Sequence, residues 1–179
     1  EGFLSRAEML VSAGATVIDV DVAHGHMKKP IAAVKSLRGK FGQKITIIAG
    51  IADTYYCAKD LYAAGADCLL VGIGAGSICT TRIQTGFGLP GFTSLLQVSK
   101  AARETGKPFA PDAGIRTSGD IVKALAAGAS AICAGFLFSG TDEAPGELIE
   151  IEGKKYKKYN GSASLAEKMS QVQNDPSDK

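Results

Sequence analysis

The chain predicts an α/β fold built from parallel βα units, and three features carry that prediction. One unit recurs: residues 10–20 read LVSAGATVIDV, 61–71 read LYAAGADCLLV and 125–135 read LAAGASAICAG. In each, a helical pattern stops at Ala-Gly-Ala and an apolar run follows, with Gly14, Gly65 and Gly128 where a left-handed helix cap is wanted. Second, those apolar runs are continuous rather than alternating, which suits a parallel sheet covered on both faces. Third, polar residues and glycines gather where the strands end. Asp21, His24 and Gly25 follow the first, Gly50 and Asp53 the second, 72–81 the third, 112–116 the fourth and Gly135 the fifth. Sites in α/β folds are built at those ends.

Each element has its own warrant. A first helix is expected over 5–13, with Ser5 and Glu8 at capping-box spacing. A strand over 16–22 follows. A helix over 30–40 opens on Pro30, tolerated in a first turn. Strand 45–49, helix 54–64 and strand 67–73 come next, then helix 93–105, strand 108–111, helix 118–127 and strand 130–137. That gives five strands and five helices. A closed barrel needs about eight strands and typically about 250 residues. The chain therefore covers part of a barrel, or forms an open sheet. Residues 140–166 are more polar, and 147–151 with 154–159 suit a hairpin turning at Glu152-Gly153. Residues 167–179 have the composition of a disordered tail.

Composition narrows the function classes. The chain has 179 residues, 45% of them apolar, and a formal charge of +2. Near-neutral charge argues against a general nucleic-acid or membrane-surface binder. No apolar run of about 18 residues exists, so no transmembrane helix is expected. The start, Glu1-Gly2-Phe3-Leu4, lacks an initiator Met and a signal-peptide layout, and reads as a start inside a domain. Cys57, Cys68, Cys79 and Cys133 form no C-x-x-C pair, which suits free thiols in a reducing, cytoplasmic setting. His24 and His26, spaced i, i+2 with no cysteine nearby, read as loop residues rather than metal ligands.

The chemistry concentrates at 71–90. The third apolar run feeds Gly72, Gly74 and Gly76, then Ser77, then Cys79 flanked by Thr80, Thr81 and Arg82. Glycines let backbone approach a ligand closely, and a strand ending in such a loop can hold an anion beside a nucleophile. Taken alone, the stretch fits equally a glycine-rich turn around an inert cysteine. Cys57, Cys68 and Cys133 sit in helix or strand patterns and read as core thiols, Tyr55-Tyr56 as helix packing, and 154–158 as a solvated charge run.

Four stretches in order resemble the IMP dehydrogenase/GMP reductase family. They are the cysteine loop 71–82, the Asp21-Val22-Ala23-His24-Gly25-His26 motif, 112–129 beginning Asp-Ala-Gly-Ile-Arg, and 145–147 with 156–164. The resemblance spans about 5–166 and implies the last five βα units of a TIM (β/α)8 barrel, with 1–139 as partial barrel and 140–166 as a flap segment of the same domain. It implies a thiolate attacking C2 of a purine nucleoside monophosphate, GMP or IMP, with hydride exchanged with a nicotinamide. Cys79 matches the nucleophile and Thr81 a proton relay. Ser77, Asp112, Ala113, Gly114, Gly135 and Phe136 match ribose and phosphate positions, and Gly161, Ser162 and Ala163 the base-contacting turn. Asp21, Val22, Ala23, Ile73 and Gly74 match cofactor contacts. Gly74, Gly76, Cys79 and Arg82 match the region of a monovalent-cation site, K+ by family precedent, with the carbonyls of Gly74, Gly76 and Cys79 as its ligands. A homotetramer is the implied assembly.

Within the family, 85–88, 114–117 and 161–164 resemble a bacterial GMP reductase branch, which implies NADPH; an IMP dehydrogenase would use NAD. An inactive nucleotide-binding fragment is the third reading. Four positions depart from the family pattern: Ile51 follows Gly50 where Asn is usual, Ala113 and Phe136 stand where smaller residues are usual, and Ser162 replaces Met.

Overall fold

In the computed structural model, residues 2–161, Ser164 and Met169 are described. Four strands, β1 (Val17–Asp21), β2 (Thr46–Ala52), β3 (Cys68–Val71) and β4 (Phe109–Pro111), form one parallel sheet in the order β1-β2-β3-β4. Register runs through Ile18 opposite Ile47, Ala49 opposite Leu69, and Leu69 opposite Phe109. Sequential strand order settles the alternative left by the sequence. A doubly wound sheet reverses its order at a switch point, whereas an arc of a barrel does not.

The helices α1 (Gly2–Ser12), α2 (Lys28–Phe41), α3 (Tyr55–Ala64), α5 (Gly91–Thr105) and α6 (Ser118–Ala126) supply the outer layer, α3 packing between α2 and α5. Between sheet and helices lies the core, including the fully buried Val34, Leu37, Ile47, Leu61, Leu69, Val98 and Phe109. The opposite face is less covered among the described residues: Val17, Asp19 and Asp21 of β1 are exposed. The sequence predicts two covered faces. In a closed barrel the inward side chains are covered by strands from across the barrel, and these four strands form only one arc.

Gly14, Gly65 and Gly128 take the expected positive φ, at 103°, 113° and 101°. Two expectations change. Ser5 lies inside α1, which starts at Gly2, so Ser5-Glu8 is no capping box; among the described residues a capping box forms at α6, where Thr117 and Asp120 bond reciprocally. The fifth strand is shorter than 130–137. Ser130 N–H donates to Phe109 O (2.9 Å), Cys133 N–H to Pro111 O (3.0 Å), and Ala113 N–H to Cys133 O (2.9 Å), which leaves one parallel bridge, Asp112 with Cys133. Beyond it Gly135 and Phe136 accept turn bonds from Phe138 and Ser139, so the chain curls away from the sheet.

The hairpin forms as expected from β5 (Leu148–Ile151) and β6 (Lys154–Lys157), with Glu152 and Gly153 both at positive φ. Lys157 is not merely solvated: its ammonium donates to the carbonyls of Thr141, Asp142 and Ala144, latching the hairpin to 141–144. The expected tail over 167–179 lies almost wholly outside the described residues.

Candidate active site

The C-terminal ends of the strands form one rim. Beyond β3 the chain runs through Gly72 and Gly74, at φ 121° and 64°, to Ser77 and Cys79, both exposed. A single turn of helix, α4 (Thr81–Thr85), follows. It was not legible from periodicity, being too short to show any. Cys79 N–H donates to Gly76 O (3.1 Å), and the Cys79 thiol to the Thr81 hydroxyl (3.2 Å). The two residues matched to catalysis therefore touch.

The β4 rim meets this loop. A β-carbon built on Gly76 would lie 3.5 Å from Cys79 Cβ and 3.7 Å from Ala113 Cβ. One built on Gly114 would lie 3.2 Å from Ala75 Cβ. Ala113 holds a left-handed φ of 62°, costly for a residue with a Cβ. Its methyl faces the cysteine loop. From the flap side, Gly161 approaches Ile78, the residue before the cysteine: its built β-carbon would lie 3.7 Å from Ile78 Cδ1. Ser162 and Ala163 lie outside the described residues. Gly135 is exposed, and Phe136 is 50% exposed rather than packed in the core. Tyr159, inside the matched 156–164 stretch but given no role there, stands on Gly135: a β-carbon at that glycine would overlap the tyrosine oxygen. Only the fold brings residues 135 and 159 together. An open groove lined by Gly135, Ser139, Lys158, Tyr159 and Asn160 continues from this point.

Asp21 closes β1 at the same rim, and Asp19 lies one inward position behind it. Burial and the Asp21 charge push the Asp112 carboxyl up, against a hydrogen bond from Cys133 that lowers it. Partial desolvation on the inner face, then Asp21 and Asp112, push Asp19, though its side chain still reaches solvent, up to about 6. The carboxylates matched to cofactor and to ribose thus sense each other across the inner face. Cys133 is exposed on that face, not a core thiol; desolvation and Asp112 raise its pKa. Burial pushes Cys57 up to about 12 and also raises Cys68. Of the residues matched to the cofactor, Asp21 and Ala23 are exposed and Val22 and Gly74 half-buried, but Ile73 is only 2% exposed. His24 rests against the Phe87 ring, centroids 4.9 Å apart, which joins the β1 loop to the far end of the cysteine loop.

Asp19 gives a pH prediction. The folded state holds its proton more tightly than an unfolded chain does, so stability falls as pH rises from the ordinary value of 3.8 through about 6. Asp19→Asn is expected to stabilise the fold above that window and to change little below it, as read by denaturant midpoints across pH.

Of the residues matched to a cation, Gly74, Gly76 and Cys79 lie on one loop. Their carbonyl oxygens are the donor type a hard ion takes, although Gly76 O already accepts one bond. Arg82 is placed differently. Its carbonyl accepts from Gly86 N–H, and its Nε–H donates to Ile73 O at 2.8 Å.

A parallel arc with an exposed cysteine on a glycine-rich loop at its C-terminal rim defines the class: a (β/α)-barrel protein with a candidate cysteine site. The comparisons place it further. The family model for the IMP dehydrogenase / GMP reductase domain matches residues 1–178, and the chain belongs to that family. It is 49% identical over 175 residues to inosine-5'-monophosphate dehydrogenase of Aquifex aeolicus, covering 98% of this chain and 36% of that protein. Against the enzyme of the same name from Nitrosopumilus maritimus it is 46% identical, over 92% of this chain and 34% of that one. A solved structure of a cysteine-to-alanine variant of GMP reductase from Trypanosoma brucei, in complex with guanosine 5'-monophosphate, matches 95% of this chain and 36% of its own. Its TM-score is 0.89 and its identity 42%. The chain thus spans about a third of the length of these relatives, and its fold is part of a TIM barrel. Among the described residues, no helix is long and apolar enough to cross a membrane.

Proposed function

We propose that this chain carries the nucleophile and most of the nucleotide pocket of a purine nucleotide oxidoreductase, of the GMP reductase type. The observation that carries the reading is the meeting of three elements at one rim: Cys79 bonded to Thr81, the 112–114 strand end against Gly76 and Ala75, and Gly161 against Ile78. Cys79 Sγ, as thiolate, attacks C2 of GMP. The C2 amine takes a proton and leaves as ammonia, and C2 stays bonded to sulfur as a thioimidate. Thr81 holds the proton at the hydroxyl that the thiol already contacts. Asp112 suits the ribose hydroxyls. The Gly114 and Gly135 amides, with the Tyr159 hydroxyl above Gly135, suit the phosphate.

NADPH would lie along the edge of exposed Asp21 and Ala23 and half-buried Gly74 and would supply a hydride to C2; Cys79 would then leave C2 as the thiolate, giving IMP. Ile73 has both backbone polar groups engaged and would contribute only through Gly74. K+ would be held by the carbonyls of Gly74, Gly76 and Cys79, and Arg82 supplies no oxygen to it. Self-association as a homotetramer is consistent with the exposed β1 edge.

The experiment is a pair of assays on the purified protein. GMP with NADPH should yield IMP and ammonia. IMP with NAD should yield no XMP. XMP formation would favour the second reading, IMP dehydrogenase, which the 46–49% identity to enzymes of that name supports.

A further inference from the structure

We infer that Asp53 is the positioning residue of the cysteine loop. Its buried carboxylate ties the entrance of that loop to its exit. Asp53 closes off β2 and is 5% exposed, the one buried charged residue among those described. Oδ1 accepts from Ile73 N–H at 2.9 Å, and Oδ2 from Leu89 N–H at 3.0 Å. Ile73 is where β3 gives way to the loop, and Leu89 is where the loop hands over to Pro90 and α5.

A second contact closes the same point. Arg82, from inside the loop, donates Nε–H to Ile73 O at 2.8 Å, so side chains take both polar groups of the Ile73 peptide. The Arg82 stem fills the space over Gly74 and Gly88, where built β-carbons would lie 2.8 Å from its atoms. A β-carbon on Gly88 would also lie 3.0 Å from Ile73 O, so the two ends of 74–88 touch. This is the geometry of an Ω-loop, whose ends meet and whose interior is filled by its own side chain. Cys79 sits near its middle and is exposed. Its placement at the rim therefore depends on how firmly the ends are held. Asp53 is a third party to the chemistry: it reaches Cys79 only through backbone.

The clamp stands on geometry alone, while its consequence for turnover rests on the reading of Cys79 as nucleophile. The test separates the two. Amide hydrogen exchange is followed in the parent chain, in Asp53→Ala and in Asp53→Asn. Removing the carboxylate leaves two amides without an acceptor, so in Asp53→Ala exchange at Ile73 and Leu89 should rise at least about tenfold. Leu69 and Leu70 in β3 should keep their protection. An Asn side chain has one acceptor oxygen, so Asp53→Asn should free one of the two amides and hold the other. A general loss of stability would not produce that asymmetry. If Asp53→Ala does not fold, Asp53→Asn decides.

Unchanged exchange at both amides, or a rise shared equally by β3, overturns the clamp. In the same variants, the GMP concentration that protects Cys79 from iodoacetamide should rise about tenfold if the clamp positions the sulfur. An unchanged value with freed amides overturns the positioning role. If GMP does not protect Cys79 in the parent chain, the nucleotide reading has failed, and the exchange data still judge the clamp.

Discussion

Cys79→Ala is expected to lower GMP-dependent NADPH consumption by about three orders of magnitude or more while leaving GMP binding within a few-fold of the parent. The sulfur is the atom that bonds to C2 in the proposed route, and no neighbouring group can replace it. Cys133 is the other exposed thiol, but it lies beside Asp112, whose charge disfavours its thiolate. Binding should persist because the proposed pocket draws on backbone and on Asp112, Gly114 and Gly135, none of which leans on the sulfur. Steady-state rates and a calorimetric titration with GMP check the two halves separately. Retained turnover would remove the covalent step, and lost binding would make Cys79 structural.

Phe109→Ala is the largest stability effect expected. Phe109 is 1% exposed in β4, its carbonyl accepts from Ser130 N–H, and its ring lies near Gly128 at the end of α6. It therefore joins the 130–133 segment, the end of α6 and the core. Truncation of a buried aromatic costs about 3–5 kcal/mol, against a total of about 5–15 kcal/mol for a domain. Chemical denaturation should show a correspondingly lower midpoint with little change in slope. A shift below about 1 kcal/mol would mean the residue is not in a packed interior.

Much of this was legible in the sequence because it is local. The three Ala-Gly-Ala caps need only a glycine at the right offset, and all three take the left-handed conformation. Glu152-Gly153 names its own turn. The cysteine loop declares itself by alternating glycines. What failed was also local, but weaker. Ser5 and Glu8 have the spacing of a cap without being at a helix start, whereas Thr117 and Asp120 form the real box with an Asp where Glu is usual. The fifth strand reads as apolar through Leu137, yet its pairing stops at Cys133, because pairing depends on β4 ending at Pro111.

The remaining features could not be read along the chain at all. Asp53 is a polar residue at a strand end by sequence; that it holds residues 73 and 89 follows only from β2 lying beside β3. Tyr159 over Gly135 is of the same kind, as is the exposure of Cys133, which needs the inner face of the arc to be visible. Arg82 sits in the cation-site motif, but its side chain is spent on closing the loop.

The central claim is that the Cys79 sulfur faces a purine monophosphate. Site-resolved alkylation of this chain, read by mass spectrometry with GMP, IMP or AMP present, tests it most directly. The account predicts that GMP or IMP slows modification of Cys79 at least about tenfold, the change expected when a bound ligand covers an exposed thiol at high occupancy, and that AMP does not. Equal labelling of Cys79 with and without GMP and IMP would contradict it.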